Sequence, residues 1–188
     1  MLELKELCLQ KNQIKCIEAI HNFPNLEDLW LSGNPIQMIF PEALSPLKDL
    51  RFLAIDNLKL RYPEQDLVFL KKVESSLTRL QMNGTFFKEN MESTSVLKMF
   101  KFEILDDLSL RNNGLLNIKN IEDFAPSLTV LDLSGNKIFS VEAVEALHKL
   151  KNLAEVNFND NPICVHKHLK EMVIDVVPDI EVINRETL

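Results

Sequence analysis

The stretch from Leu128 to Ile138 reads LTVLDLSGNKI, and its spacing sets the interpretation of the whole chain. Leucine occupies the first, fourth and sixth positions, asparagine the ninth and isoleucine the eleventh. Apolar residues at alternate positions predict a short strand with one buried face. A single copy of this eleven-residue template is a weak signal, so its meaning depends on whether it recurs.

The template recurs along the entire chain. Close copies are LKELCLQKNQI, LEDLWLSGNPI, LDDLSLRNNGL and LAEVNFNDNPI, whereas LRFLAIDNLKL and LTRLQMNGTFF carry Leu58 and Thr85 at the asparagine position. The seven copies begin near residues 4, 26, 50, 77, 105, 128 and 153. One unit cannot bury its own apolar face, so neighbouring units are expected to stack into a solenoid.

These motifs are those of leucine-rich repeats. The repeat starts are 22 to 28 residues apart, and the chain resembles intracellular leucine-rich-repeat proteins of the 22-residue class, such as the nuclear regulatory subunit of protein phosphatase 1, axonemal dynein light chain 1 and tubulin-folding cofactor E. The resemblance implies a single α/β domain over residues 1–188. We expect a horseshoe-shaped solenoid with a parallel sheet on its concave face and mixed 3₁₀ and α-helical returns on its convex face.

The returns between strands carry their own signals. Ile14, Ile17, Ile20 and Phe23 recur every three residues and predict a 3₁₀-like first return. Apolar spacing predicts helices over 64–76, 90–101 and 140–150, and a last helix over about 166–176. In the third of these helices, Ser140 is the predicted N-cap, and the residues expected to face the core are Val141, Val144, Leu147 and Leu150.

The two ends differ. Residues 166–188 resemble a C-terminal leucine-rich-repeat cap, with Val177-Pro178-Asp179-Ile180 following the predicted helix. No capping helix or hairpin is predicted before Leu4. We therefore expect that the chain is the tail of a longer repeat array, or that something else covers the end of the first repeat.

The recurring asparagines are expected to have a structural role. An amide side chain in the turn after each strand can satisfy backbone groups that would otherwise be buried without partners. This predicted asparagine ladder consists of Asn12, Asn34, Asn113, Asn136 and Asn161. Because Leu58 and Thr85 interrupt it, we expect a less regular middle.

Composition narrows the class of function. The chain is 46% apolar and 26% charged, with a net charge of −7 and no run of basic residues, so nucleic acid is an unlikely partner. No apolar run approaches 18 residues, and we expect no membrane span or membrane partner. Three cysteines without framework spacing favour a reducing compartment, which we take to be the cytoplasm, with the cilium, cytoskeleton or nucleus as alternatives.

An enzymatic function is not expected. The sequence contains no P-loop, G-x-G-x-x-G, G-x-S-x-G or H-E-x-x-H motif. Cys164, His166 and His168 are too few ligands for a structural zinc site. We therefore predict no catalytic residues, no cofactor, no metal and no small-molecule ligand.

The predicted site is the concave face. Strand alternation turns the third, fifth and seventh residues of each motif towards it. The candidate partner-binding residues are Asp28, Trp30, Phe52, Asp56, Arg79, Asp107, Arg111, Asp132 and Glu155. Trp30 and Phe52 fall on neighbouring strands and suggest an aromatic hot spot, although the tryptophan ring could instead merely cover adjacent strands.

The net negative charge lies mainly in the C-terminal half. Residues 105–188 carry 8 basic and 14 acidic side chains, a net of −6. A protein partner with an apolar anchor and basic residues would suit this face. The sequence thus favours a non-enzymatic interaction scaffold. A structural segment of a larger ciliary or cytoskeletal protein, and a component of a ribonucleoprotein or RNA-export complex, are the alternatives.

Overall fold

The computed structural model describes residues 3–58, 63–85 and 98–188, and within them one sheet holds nine strands in chain order. The strands are β1 (Glu6–Cys8), β2 (Asp28–Trp30), β3 (Phe52–Ala54), β4 (Arg79–Gln81), β5 (Asp107–Ser109), β6 (Val130–Asp132), β7 (Glu155–Asn157), β8 (Val182–Ile183) and β9 (Glu186–Thr187). Strands β1 to β8 are parallel, and β9 pairs antiparallel with β8. The predicted parallel sheet of a leucine-rich-repeat solenoid is confirmed.

The register places equivalent motif positions side by side. The fourth residue of each motif forms a single column through the core: Leu7, Leu29, Leu53, Leu80, Leu108, Leu131 and Val156. From Leu29 to Val156, every member of this column is fully buried. Each leucine therefore contacts its counterparts in the next repeats, and burial of this apolar surface is the main force that holds the stack together.

The returns mix short α-helices with 3₁₀ segments, as predicted. The α-helices are α1 (Pro41–Leu44), α2 (Pro63–Asp66), α3 (Ile121–Phe124), α4 (Glu142–Glu145) and α5 (Leu169–Val176). The 3₁₀ segments are Ala19–Asn22, Val68–Lys72, Ala146–Lys149 and Pro162–Val165. The first of these lies where the spacing of Ile14, Ile17 and Ile20 predicts it.

The predictions of single continuous helices over 64–76 and 140–150 were wrong. Each return instead consists of one α-helical turn followed by a 3₁₀ segment. A 3₁₀ segment rises about 2.0 Å per residue against 1.5 Å for an α-helix, so it spans the convex side with fewer residues. The apolar stripe was nevertheless assigned correctly in the first of them, since Leu67, Leu70 and Val73 are fully buried.

Two details of the third predicted helix also differ. Val141, not Ser140, precedes α4, and no side chain within the described ranges caps that helix. Val141 is 36% exposed, and Ala143 takes the inward position, because α4 begins two residues later than predicted.

A further helix was predicted over 90–101. Residues 90–97 lie outside the described part of the chain, and residues 98–101 are not helical.

The sheet ends differently on its two sides. At the C-terminal side, α5 is followed by the β8–β9 hairpin, whose loop residues Asn184 and Arg185 have φ values of 54° and 67°. Positive φ at both positions is typical of the tight turns that join antiparallel strands. At the other side, Leu4, Leu7, Leu9 and Ile14 are half-buried and pack against the core from one side.

Within residues 3–58, 63–85 and 98–188, no helix has the length and apolar character needed to cross a membrane.

Candidate functional site

The concave face is built from two rows of side chains that the strand register lines up. The third motif residues give one row: Glu6, Asp28, Phe52, Arg79, Asp107, Val130, Glu155 and Val182. The fifth motif residues give a second: Cys8, Trp30, Ala54, Gln81, Ser109, Asp132 and Asn157. Adjacent strands lie about 4.8 Å apart, so neighbours in a row are within contact distance.

The N-terminal part of this face is an aromatic platform, defined here as Trp30, Phe52, Arg79 and Asp28. The ring centroids of Trp30 and Phe52 lie 5.1 Å apart, with the ring planes inclined by 58°. The guanidinium carbon of Arg79 lies 4.8 Å from the centroid of the Phe52 ring. Arg79 also approaches Asp28, with 3.6 Å between its Nη2 atom and the carboxylate. Stacking, cation–π attraction and ion pairing together hold the platform in one arrangement.

This arrangement corrects one predicted contact residue. Phe52 is only 5% exposed, because Trp30 and Arg79 cover it, so its ring is not available to a partner in the free protein. Trp30, Asp28 and Arg79 remain at least partly exposed. Phe52 therefore supports Trp30, and Trp30 presents the aromatic surface.

Asp56 also has a structural role that the sequence prediction missed. Its carboxylate accepts hydrogen bonds from the backbone N–H of Asn83 at 2.8 Å and from the hydroxyl of Ser32 at 3.1 Å. Asn83 continues the chain of bonds, since its Oδ1 atom accepts from the Ser109 hydroxyl and the Arg111 N–H, both at 2.7 Å. We call this set the margin ladder. It lies beside the repeats in which Leu58 and Thr85 replace the asparagine.

The asparagine ladder itself is continuous on both sides of that gap. Asn136 donates to the carbonyls of Leu110 and Leu133, and it accepts from the N–H groups of Asn113 and Leu115. Asn34, Asn113 and Asn161 are likewise buried and bond to neighbouring repeats. Asn12 is exposed, and its amide donates to the carbonyls of Leu9 and Gln10 within the same repeat.

Thr85 fills its asparagine position by a different route. The Thr85 hydroxyl donates to the carbonyl of Ile55 at 2.8 Å, and its N–H donates to Asn113 Oδ1 at 2.9 Å. A hydroxyl thus replaces one function of the amide, and the margin ladder supplies further bonds between the strands of the same region. The described part of the middle therefore keeps its register although the asparagine motif is lost.

The C-terminal part of the concave face is acidic. Asp132 lies 3.8 Å from Arg111 Nε and 3.8 Å from Arg185 Nη2, whereas no ion pair within the described chain involves Asp107 or Glu155. Burial is the main cause that raises the pKa of Asp107 above the ordinary aspartate value. The negative charge of Asp106 raises this pKa further, Arg79 lowers it, and Glu155 and Asp132 add smaller increases.

Buried polar atoms without partners are concentrated in the same region. Among the described residues, the buried side-chain atoms that lack a hydrogen bond are Arg111 Nε, Ser134 Oγ, Asn157 Nδ2 and Glu122 Oε2. The first three belong to the concave side of β5 to β7 and the turns that follow. The prediction from sequence did not single out Ser134 or Asn157, although both occupy motif positions that face this side. Polar residues are common at such positions, and Ser134 and Asn157 differ from most other polar residues there because they are buried.

Within the described ranges, no group of three or more histidine, cysteine, aspartate or glutamate side chains is arranged to hold a metal ion.

Comparison with known proteins agrees with this geometry. The family described as "Leucine Rich repeats (2 copies)" matches residues 3–48, and "Leucine Rich Repeat" matches residues 127–150. The chain is 25% identical over 142 residues to an acidic leucine-rich nuclear phosphoprotein 32-related protein of Plasmodium falciparum. That alignment covers 73% of this chain and 48% of the relative, so the chain spans about half the relative's length.

Solved structures share the fold. Human trophoblast glycoprotein superposes with a TM-score of 0.69 at 23% identity, covering 95% of this chain and 68% of that one. A TLR13–ssRNA13 complex gives a TM-score of 0.69 at 22% identity, covering 97% of this chain and 28% of that one. Internalin C2 of Listeria monocytogenes gives 0.60 at 20%, covering 95% and 79%. The chain thus carries leucine-rich repeats and folds as a leucine-rich-repeat solenoid.

Proposed function

We propose that this chain is a non-enzymatic protein-interaction scaffold whose concave face binds a segment of a partner protein. The observation that carries the proposal is the aromatic platform, on which a partly exposed Trp30 rests against a buried Phe52. Large aromatic side chains dominate the binding energy of many protein interfaces. A tryptophan held in place before binding loses little side-chain entropy when the partner arrives, which favours affinity.

The solenoid adds a second source of preorganisation. The strands of the concave face are short and linked by backbone bonds and the two ladders, so the surface is formed before the partner binds. Leucine-rich repeats generally serve as protein-binding folds. The partner loses freedom on binding, whereas the scaffold reorders little.

Charge defines the kind of partner. The concave strands carry Asp28, Asp107, Asp132 and Glu155, and residues 105–188 have a net charge of −6. This charge repels phosphate backbones and attracts lysine and arginine. We therefore expect a protein segment with an apolar anchor for the aromatic platform and basic residues towards the C-terminal strands.

The experiment is a selection of phage-displayed 12-residue peptides on the immobilised chain, followed by mapping of the bound peptide. Amide chemical shifts locate the peptide without a substitution that could disturb the fold. We expect the largest shifts at Asp28, Trp30 and Arg79, with smaller shifts along β5 to β7. Peptides whose shifts map to the convex returns, or a selection that enriches no peptide, would contradict the proposal.

A further inference from the structure

Three carboxylates on the concave face surround one apolar side chain. Asp107, Val130 and Glu155 are register partners on β5, β6 and β7, so Val130 lies directly between the two acids. Asp132 follows on the same strand as Val130 and points to the same face, because alternate strand residues share a side. Two strand spacings separate the Cα atoms of Asp107 and Glu155 by about 10 Å. We call these four residues the acidic notch.

The charges of the acidic notch are only partly balanced. Asp132 lies 3.8 Å from both Arg111 and Arg185, distances too long for strong hydrogen bonds. Within the described residues, no ion pair is formed by Asp107 or Glu155, and both side chains are only partly exposed. Burial is the main cause that raises the pKa of Asp107, and repulsion from Glu155 and Asp132 adds smaller increases. A cation bound there would relieve that repulsion.

A separate observation indicates that a ligand belongs in the acidic notch. Asn157 is the register neighbour of Asp132 and is only 2% exposed, yet its Nδ2 atom has no hydrogen-bond partner among the described residues. Its Oδ1 atom is already used, accepting the N–H of Asn159 at 3.0 Å. Ser134 is 5% exposed, and its hydroxyl likewise lacks a partner in the part of the chain that the structure describes. Buried donors without acceptors are rare in folded proteins. Their occurrence beside carboxylates whose charges are only partly balanced indicates a surface that is completed by a bound group.

We propose that the acidic notch receives one lysine or arginine side chain of the protein partner. The aliphatic stem would lie on Val130, and the cationic end would lie among Asp107, Asp132 and Glu155. Long basic side chains bury their stems on apolar surface in this way while the charge finds polar groups. The main-chain carbonyl of the same partner residue would accept the free N–H of Asn157. This inference rests on the proposed concave-face binding and specifies the partner's chemistry at its C-terminal strands.

The proposed occupant fits both kinds of group in the acidic notch. Carboxylates are acceptors and need a donor with positive charge, which lysine and arginine supply. Asn157 Nδ2 is a donor and needs an acceptor, which every peptide bond supplies. A phosphate-bearing ligand does not suit the carboxylates, because its charge has the same sign as theirs.

The test uses peptides selected on the full chain and a double variant, Asp107→Asn with Glu155→Gln, that keeps size and removes charge. We expect the enriched peptides to contain lysine or arginine. The double variant should weaken their binding at least tenfold at physiological salt, and replacing the basic residue by norleucine should weaken binding to the wild type similarly. The side-chain amide signal of Asn157 should shift when the unmodified peptide binds. A control double variant, Glu171→Gln with Asp175→Asn on α5, makes the same charge change away from the sheet and should bind normally.

The outcomes separate this inference from the proposed function. If Trp30→Ala weakens binding and the notch variant does not, the scaffold proposal stands and the acidic notch is overturned. If neither substitution changes binding, the concave face is the wrong surface and both fail. Should the double variant unfold, Asp107→Asn and Glu155→Gln are measured singly against the same prediction. Equal weakening by the control variant would reduce the effect to net charge and overturn the notch.

Discussion

Trp30 lies across Phe52, with the ring centroids 5.1 Å apart, and one member of this pair is buried while the other remains partly exposed. The two residues occupy adjacent strands, where Asp28 is the register partner of Phe52 and Ala54 is that of Trp30. Their contact is therefore diagonal. The small Ala54 side chain leaves room for the indole, and Arg79 covers the remaining side of the phenyl ring. Phe52 thus belongs to the fold and Trp30 to the surface.

The first prediction separates these two roles by stability. Phe52→Ala should lower the free energy of unfolding by about 3 kcal/mol, because a buried aromatic ring is lost and the side chains of Trp30 and Arg79 fill the cavity only partly. Trp30→Ala should cost on the order of 1 kcal/mol, since part of its surface is already in water. Urea unfolding of both variants measures the difference. Equal losses would show that Trp30 is as structural as Phe52.

This pair also shows how far the sequence could predict the site. Strand alternation correctly placed Phe52 on the concave side, because the side on which a residue lies depends only on position in the motif. Its exposure depends on which neighbours cover it, and that follows from Ala54 being small and Arg79 being long. These contacts join residues of different repeats, 24 to 27 residues apart in the chain. The motif describes positions within one repeat and therefore does not predict them.

The second prediction concerns the asparagine ladder. Asn136→Ala should lower the free energy of unfolding by about 1–3 kcal/mol, because four backbone groups lose their partner in the interior. Asn12→Ala is the matched control, since Asn12 is exposed and its amide donates to carbonyls of its own repeat. Water can replace those bonds, so we expect a change of under about 0.5 kcal/mol. Similar losses in the two variants would contradict the ladder's role.

The third prediction tests the structural role of Asp56. Asp56→Ala should destabilise the protein by about 1–3 kcal/mol, because the N–H of Asn83 and the hydroxyl of Ser32 lose an ionised acceptor. Asp56→Asn retains an acceptor oxygen and should cost less. The measurement is chemical unfolding at neutral pH. If Asp56→Ala is as stable as the wild type, the structural role of Asp56 is contradicted, and Asp56 remains a candidate contact for the partner.

Fold and returns were predictable to different extents. Leu58 and Thr85 interrupt the asparagine motif, yet strands β3 and β4 keep the common register because Leu53 and Leu80 still fill the core column. The apolar positions therefore determine the fold. The margin ladder through Asp56 and Asn83 joins side chains of different repeats, so no spacing within one repeat indicates it. The predicted helix boundaries were wrong for a related reason. The distance that a return must span on the convex side, rather than local helix propensity, decides where the α-helix ends and the 3₁₀ segment begins.

The fourth prediction is a pH dependence at Asp107. Its pKa is raised in the folded protein, chiefly by burial, so the folded state binds more protons than the unfolded state over the range between the two pKa values. Stability contributed by this group therefore falls as the pH rises from about 4 through the raised pKa. Asp107→Asn should be more stable than the wild type at pH 7, and the difference should disappear below about pH 4.

Chemical unfolding of wild type and Asp107→Asn across pH 3 to 7, at equal ionic strength, measures this difference. Asp175→Asn is the control, because it removes a carboxylate from the exposed surface of α5, where burial plays no part in the effect of the substitution. A constant advantage of Asp107→Asn over the whole range, or a lower stability at pH 7, would contradict the effect of burial on Asp107.

The most direct test of the concave-face account is the affinity of a selected peptide for Trp30→Ala and for Phe139→Ala. Both changes remove an aromatic ring, but Phe139 is 66% exposed in a return and lies outside the sheet. Calorimetric titration of the two variants and the wild type with the same peptide gives the comparison. We predict a loss of about 2 kcal/mol, roughly 30-fold in Kd, for Trp30→Ala and an unchanged Kd for Phe139→Ala. Unchanged binding by Trp30→Ala, with or without a loss in Phe139→Ala, would contradict the account.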